Sequence, residues 1–136
     1  MFILDTNVVS GLRRPEKANP NLTAWAAAMP LPELFLSSIT VLELELGVLL
    51  MERKDREQGA VLRTWLDGQV IPRFEGRIIA VDTAVARRCA GLHVPDRCAE
   101  RDALIAASAL VHGMIVVTRN VADFAATGVR TLNPFL

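Results

Sequence analysis

The sequence predicts an α/β fold, a three-layer α/β/α sandwich around a central, mainly parallel sheet of about five short strands. Two patterns predict it. Short, continuously apolar runs recur along the chain, as in strands buried on both faces, and stretches with apolar residues at helical spacing alternate with them. No repeat, low-complexity stretch or Gly/Ser linker interrupts the pattern, so the 136 residues are expected to form one domain, 1–136.

Phe2-Ile3-Leu4 reads as the first strand, stopping at Asp5-Thr6-Asn7. Asn19 before Pro20 reads as an N-cap and first helical position, and Leu22, Trp25, Ala26 and Met29 keep helical spacing up to Pro30 and Pro32. Leu34-Phe35-Leu36 is the second strand, closed by Ser37-Ser38. A long helix follows over residues 40–53, and another starts near residue 56 with Val61, Leu62, Trp65 and Leu66 as its inner stripe, ended by Pro72. Ile78-Ile79-Ala80-Val81 is the third strand, and Asp82 caps a helix reaching residue 92. Residues 100–112 form a further helix with Gly113 as its C-terminal stop. Ile115-Val116-Val117 is the fourth strand, residues 120–124 a short helical turn, and residues 129–132 the fifth strand.

Bulk properties exclude several classes. Hydrophobic residues at 51% and charged residues at 22% exclude a disordered chain. The apolar run over residues 41–51 is broken by Glu43 and Glu45, too short and too charged to cross a bilayer, so no membrane partner is expected. The N-terminus lacks the basic region and long apolar core of a signal peptide, so a cytoplasmic location is expected. A formal charge of zero argues against a general nucleic-acid coating protein but not against an enzyme that touches RNA locally. Thirteen arginines stand against two lysines; the guanidinium fork suits phosphate, yet codon bias explains the count better than function does. Cys89 and Cys98, nine residues apart without a second Cys/His pair, read as free thiols and not as a zinc site.

In parallel sheets, sites form beyond the carboxyl ends of the strands. Four acids fall there. Asp5 follows strand one, Glu43 stands in the first turn of the helix after strand two, and Asp123 lies in the turn after strand four. Asp102 opens the helix that runs antiparallel into strand four, so it reaches the same rim. Converging acids repel by about 4 kcal/mol per pair at 4 Å and an effective dielectric of 20. A divalent cation removes that repulsion, and an oxygen-only donor set selects a hard ion, Mg²⁺ or Mn²⁺. Such an ion supports phosphodiester hydrolysis without a covalent nucleophile.

Each acid also has a purely structural reading. Asp5 suits an Asx-turn, Thr40-Val41-Leu42-Glu43 matches a capping box, Asp102 and Glu100 suit a helix dipole, and Asn120 to Asp123 resembles a cap. Taken singly, such caps are the commoner explanation, and Asp82, which follows a strand in the same way, is expected to be only a cap. The polar neighbours favour a site: Thr6 and Asn7 beside Asp5, then Thr118, Arg119 and Asn120 at the end of strand four. Gly47, Ala106 and Ala109 suit close backbone approach, or ordinary helix–sheet packing.

Four segments in order resemble the PIN domain, most closely the VapC-type toxins of toxin–antitoxin pairs. They are Ile3-Leu4-Asp5-Thr6-Asn7-Val8-Val9-Ser10, Ser38-Ile39-Thr40-Val41-Leu42-Glu43-Leu44 with Gly47, Asp102-Ala103-Leu104-Ile105-Ala106-Ala107-Ser108-Ala109, and Val116-Val117-Thr118-Arg119-Asn120-Val121-Ala122-Asp123-Phe124. The resemblance implies a PIN-like sheet between helices and an Mg²⁺ or Mn²⁺ site of Asp5, Glu43 and Asp102. Asp123 matches the fourth, more variable acid, and Thr118 and Asn120 the polar positions beside it. It also implies an endoribonuclease acting on structured RNA such as tRNA, slowing translation and covered by a cognate antitoxin. Residues 92–101, with His93, Pro95, Asp96 and Glu100, look a few residues longer than this pattern; Asp96 and Glu100 read as surface residues or as extra acids near the site. His93 and His112 read as structural or exposed.

The helix over residues 40–53 carries two apolar rows, Val41, Leu44 and Val48, and Leu42, Leu46 and Leu49. One row is expected to face the sheet and the other the next helix, an antitoxin or a second copy; the resemblance favours a homodimer that also binds an antitoxin. Arg13, Arg14 and Lys17 suit RNA phosphate, an acidic antitoxin tail or a solvated loop. Two other functions compete. A phosphoryl hydrolase through an aspartyl phosphate usually has an acid two residues after the nucleophile, where Asn7 stands. A silent binding module has no use for four acids.

Overall fold

The computed structural model describes residues 1–136. Five parallel strands form the sheet in the order β3-β2-β1-β4-β5, with β1 Phe2–Leu4, β2 Leu34–Ser37, β3 Ile78–Ile79, β4 Ile115–Val117 and β5 Thr131–Leu132. The three-layer α/β/α expectation is borne out. The chain moves outward from β1 to β3, then returns to lay β4 on the other side of β1, pairing Ile3 with both Phe35 and Val116. The order therefore reverses between β1 and β4, and their carboxyl ends flank a switch point where such sheets open a crevice.

Side chains alternate across the sheet. Leu4, Leu34, Leu36 and Val117 pack on the face covered by α1 (Thr6–Gly11), α2 (Pro20–Ala28), α3 (Ser38–Lys54), α4 (Arg56–Trp65) and α5 (Ile71–Arg73). Ile3, Phe35 and Val116 pack on the other face against Ile105, Ala106 and Ala109 of α7 (Glu100–His112), with α6 (Thr83–Leu92) beyond it through Val85, Cys89, Ala103 and Ala107. Fully buried alanines let α7 lie close to the sheet, which brings its first turn to the rim.

Several boundaries depart from expectation. The N-cap of α3 is Ser37, whose Oγ accepts the Ile39 N–H at 3.0 Å, so Glu43 stands in the second turn rather than the first. The capping box of Thr40 and Glu43 is thereby excluded. The helical run that begins at Arg56 passes through a π-turn over Leu66–Val70 and stops at Arg73, one residue after Pro72, so Pro72 ends it as expected. Val61 is exposed, and Leu62, Trp65, Leu66 and Val70 carry the inner stripe. Strands β3 and β5 have two residues each, shorter than the apolar runs. Residues 121–127 form a 3₁₀ segment. Gly47 is not a close-approach position, since an added Cβ meets nothing within 4 Å; Gly59 is, its Cβ falling 2.5 Å from Glu52 Cα across the α3–α4 crossing.

Of the two rows on α3, Leu44 and Val48 are buried in the core, whereas Leu42, Leu46 and Leu49 are 37–51% exposed. Arg63 of α4 also ties the two helices, pairing with Glu45 at 2.6 Å and Glu52 at 3.3 Å. No helix is long and apolar enough to cross a membrane.

Candidate active site

Asp5 ends β1 and caps α1. Its Oδ1 accepts the Thr6 N–H at 2.8 Å, and its Oδ2 accepts the Thr118 hydroxyl at 2.7 Å and the Asn7 amide at 3.2 Å. Asn7 Nδ2 also reaches Thr118 Oγ1 at 3.2 Å, and Asn7 Oδ1 accepts the Arg119 N–H at 3.0 Å. These bonds stitch the ends of β1 and β4 together across the switch point. Asp5 is only 6% exposed; burial raises its pKa most, the three donors oppose the rise, and repulsion from Glu43 adds to it.

Glu43 reaches the rim from α3. Released from any capping role, its Oε1 accepts the Thr6 hydroxyl at 2.6 Å, and its Oε2 lies 3.7 Å from Arg101 Nη1. Thr6 thus bridges Asp5 and Glu43, with its N–H on one acid and its hydroxyl on the other. Asp102 stands in the first turn of α7, half-buried. Its pKa is raised by burial first, then by the charges of Asp5, Asp123 and Glu43, with no hydrogen bond offsetting the rise. Asp123 is exposed in the 3₁₀ segment after β4, its N–H on Asn120 O at 3.0 Å.

The fold therefore brings the four acids to one rim, where Asp102 feels the charges of the other three. Their oxygens nevertheless stand apart. No trio of them brings one oxygen each within 4.8 Å, a closeness the chain reaches only at Cys89, His93 and Glu100. Like charges separate, and Glu43 is drawn toward Thr6 and Arg101. In donor chemistry the set suits a hard divalent cation: all oxygen, all acidic, with Asp5 and Asp102 made protonation-prone first by burial and then by neighbouring acids.

Among the supporting residues, Thr6, Asn7 and Thr118 touch the acids directly. Asn120 contributes its backbone N–H to Thr118 Oγ1 at 3.0 Å, while its side chain is exposed without a bond in the chain. Asp82 is a cap, accepting the Val85 N–H at 2.9 Å. Asp96 is exposed, and Glu100 turns to His93 at 3.6 Å rather than to the rim. Arg101 was missed by sequence reasoning; its signal was a cation directly beside Asp102 on a helix aimed at the rim. Arg119 stacks over Phe135 at 4.0 Å, folding the C-terminal residues against the end of β4.

A groove of about 790 Å³ lies apart from the four acids, lined by Leu12, Met29, Leu31, Trp65 and Phe74, with Arg13 and Arg73 also in its lining.

Comparison with known proteins agrees with this geometry. The profile of the family described as PIN domain matches residues 2–129. Toxin FitB of Neisseria gonorrhoeae is 38% identical over 141 residues, covering 99% of this chain and 99% of that protein. The VapC ribonuclease Y4jK of Sinorhizobium fredii is 35% identical over 140 residues, covering 99% and 98%. The crystal structure of FitAcB from Neisseria gonorrhoeae superposes with a TM-score of 0.90 at 36% identity, covering 99% of each chain. With that fold and coverage, the chain belongs to the PIN-domain family, among its VapC-type members.

Proposed function

We propose that this chain is a metal-dependent endoribonuclease, the toxin of a toxin–antitoxin pair, cleaving structured RNA such as tRNA and so inhibiting translation. The observation that carries the reading is the gathering of Asp5, Glu43, Asp102 and Asp123 at the β1/β4 switch point, with mutual repulsion unrelieved by any buried cation of the chain. The ribonuclease and toxin names of two full-length relatives support it. These four acids would hold Mg²⁺ or Mn²⁺. Such an ion supplies charge neutralisation, a more acidic attacking water and stabilisation of the leaving oxygen.

The chain's own residues do the positioning. Thr118 and Asn7 fix Asp5 in one rotamer, and Thr6 ties Glu43 to it. Arg101, half exposed beside Glu43, is free to turn to an incoming phosphate. The apolar groove with its two arginines suits a helical antitoxin segment whose apolar face is flanked by acids. The exposed row of Leu42, Leu46 and Leu49 suits a second copy of the chain, giving a homodimer.

Cleavage of end-labelled structured RNA, with Mg²⁺ or Mn²⁺ and with chelator, tests the reading against the Asp5→Asn variant. Metal-dependent internal cuts absent from the variant are expected. Release of phosphate from a monoester without RNA cleavage, or no hydrolysis of either, overturns it.

A further inference from the structure

A second cluster of ligating side chains lies outside the carboxylate rim, where α6 ends and α7 begins. His93, the C-terminal cap of α6, stands four residues after Cys89 and so on the same side of the helix. Its Nε2 is 3.8 Å from Cys89 Sγ and 3.6 Å from Glu100 Oε2, and the three ligand atoms lie within 4.8 Å of one another. Cys89 is buried, His93 partly buried and Glu100 exposed. With metal–sulfur, –nitrogen and –oxygen bonds near 2.3, 2.05 and 2.05 Å, the edges of a tetrahedron are about 3.3–3.6 Å. The two measured separations sit within a few tenths of those edges.

We propose that Cys89, His93 and Glu100 form a site for a single Zn²⁺-class cation, with its fourth position open to water. A thiolate and an imidazole select a borderline-soft ion over Mg²⁺, and thiolate plus carboxylate balance its two charges. The residue spacing had spoken against zinc because only the fold carries Glu100 back to the α6 terminus.

Binding requires two proton movements. Cys89 loses its thiol proton to solvent. His93 Nδ1 accepts the Cys98 N–H at 3.1 Å, so the metal-free imidazole carries its proton on Nε2. Loading moves that proton to Nδ1, where Cys98 Sγ at 3.6 Å is the nearby acceptor, and the Cys98 N–H turns away. The ion thereby ties α6 to the start of α7, two residues before Asp102, and rearranges the segment between them. This explains the length of residues 92–101 as a ligand-carrying connection.

Titration of the chelator-treated full chain with Co²⁺, in excess Mg²⁺ to occupy the carboxylate rim, tests the site. One Co²⁺ per chain with thiolate-to-cobalt charge-transfer absorption, bleached by Zn²⁺, is expected. The absorption should vanish in Cys89→Ser and His93→Gln, bind Co²⁺ at least about tenfold more weakly in Glu100→Gln, and persist in Cys98→Ser and Asp5→Asn. No thiolate absorption in the native chain, or absorption surviving His93→Gln, overturns the proposal. Because Cys89 is buried, its variant is read only if its circular dichroism is native; His93→Gln decides otherwise. The readout is independent of RNA cleavage, so failure here and failure of the nuclease reading are distinguishable.

Discussion

The Thr118 hydroxyl donates a 2.7 Å hydrogen bond to Asp5 Oδ2, joining residues 113 positions apart in the chain. The same oxygen accepts the Asn120 N–H at 3.0 Å and the Asn7 amide at 3.2 Å, so one buried hydroxyl organises the ends of β1 and β4. Replacing it with an equally large apolar group, Thr118→Val, leaves a buried carboxylate short of a donor. A loss of about 1.5–3 kcal/mol in urea unfolding is expected, the range for a hydrogen bond to a charged group. Cleavage should fall with it, and Thr118→Ser should keep most of both. A Val variant as stable and active as the native chain would show that Asp5 is held by Thr6 and Asn7 alone.

The acids make metal-free stability depend on pH in an unusual direction. In the folded chain Asp102 has a pKa above its ordinary 3.8, through burial and then the charges of Asp5, Asp123 and Glu43. Between 3.8 and the raised value the folded chain binds more protons than the unfolded one, so stability falls as pH rises through that window and stays low above it. Glu45, held down by Arg63, works the other way and is common to native and variant chains. Acidifying chelator-treated protein from neutral towards the ordinary carboxylate value of 3.8 should therefore stabilise the native chain relative to Asp102→Asn. Parallel urea midpoints for the two across that range would remove the repulsion from the argument.

A charge in the outward row of α3 tests its role. Leu46 is 37% exposed in the single chain, so Leu46→Glu should leave the fold intact, within about 0.5 kcal/mol in thermal unfolding. With the proposed homodimer built on this row, sedimentation should report a dimer for the native chain and a monomer for Leu46→Glu. An unchanged mass for native and variant chains excludes this row as the contact.

The two glycines of the α3–α4 pair should respond oppositely to alanine. At Gly59 a Cβ would fall 2.5 Å from Glu52 Cα, a backbone atom that cannot swing aside, so Gly59→Ala should destabilise by about 1–3 kcal/mol. At exposed Gly47, inside α3 with nothing near its Cβ, alanine should stabilise by up to about 1 kcal/mol. Denaturant midpoints of both variants measure this directly.

Much of the architecture was legible because its signals are local. Phe2-Ile3-Leu4 and Ile115-Val116-Val117 are apolar runs closed at their carboxyl ends by polar Asp5 and Thr118, and both strands occupy those residues. Asn19, Asp82 and Gly113 marked helix ends, since a cap needs only its own turn. Pro72 marked the end of its helical run to within one residue, but the π-turn over Leu66–Val70 just before it was not legible, since nothing in its neighbours reveals it. Val61 misled because helical spacing identifies a stripe but not its edge against a partner helix.

Local order along the chain was enough to set the strands, the helix caps and the positions of acids just past strand ends, because apolar runs and capping residues act within a few residues. Contacts between distant segments lay beyond it. That Glu43 serves Thr6 and Arg101 rather than a capping box, and that Leu44 faces inward while Leu46 faces water, depends on how α3 seats against α1 and the sheet. That Glu100 turns from the rim to His93 while Asp102 does not depends on where α6 delivers the chain. Each follows from β1 lying between β2 and β4, a long-range pairing that no short stretch of residues encodes.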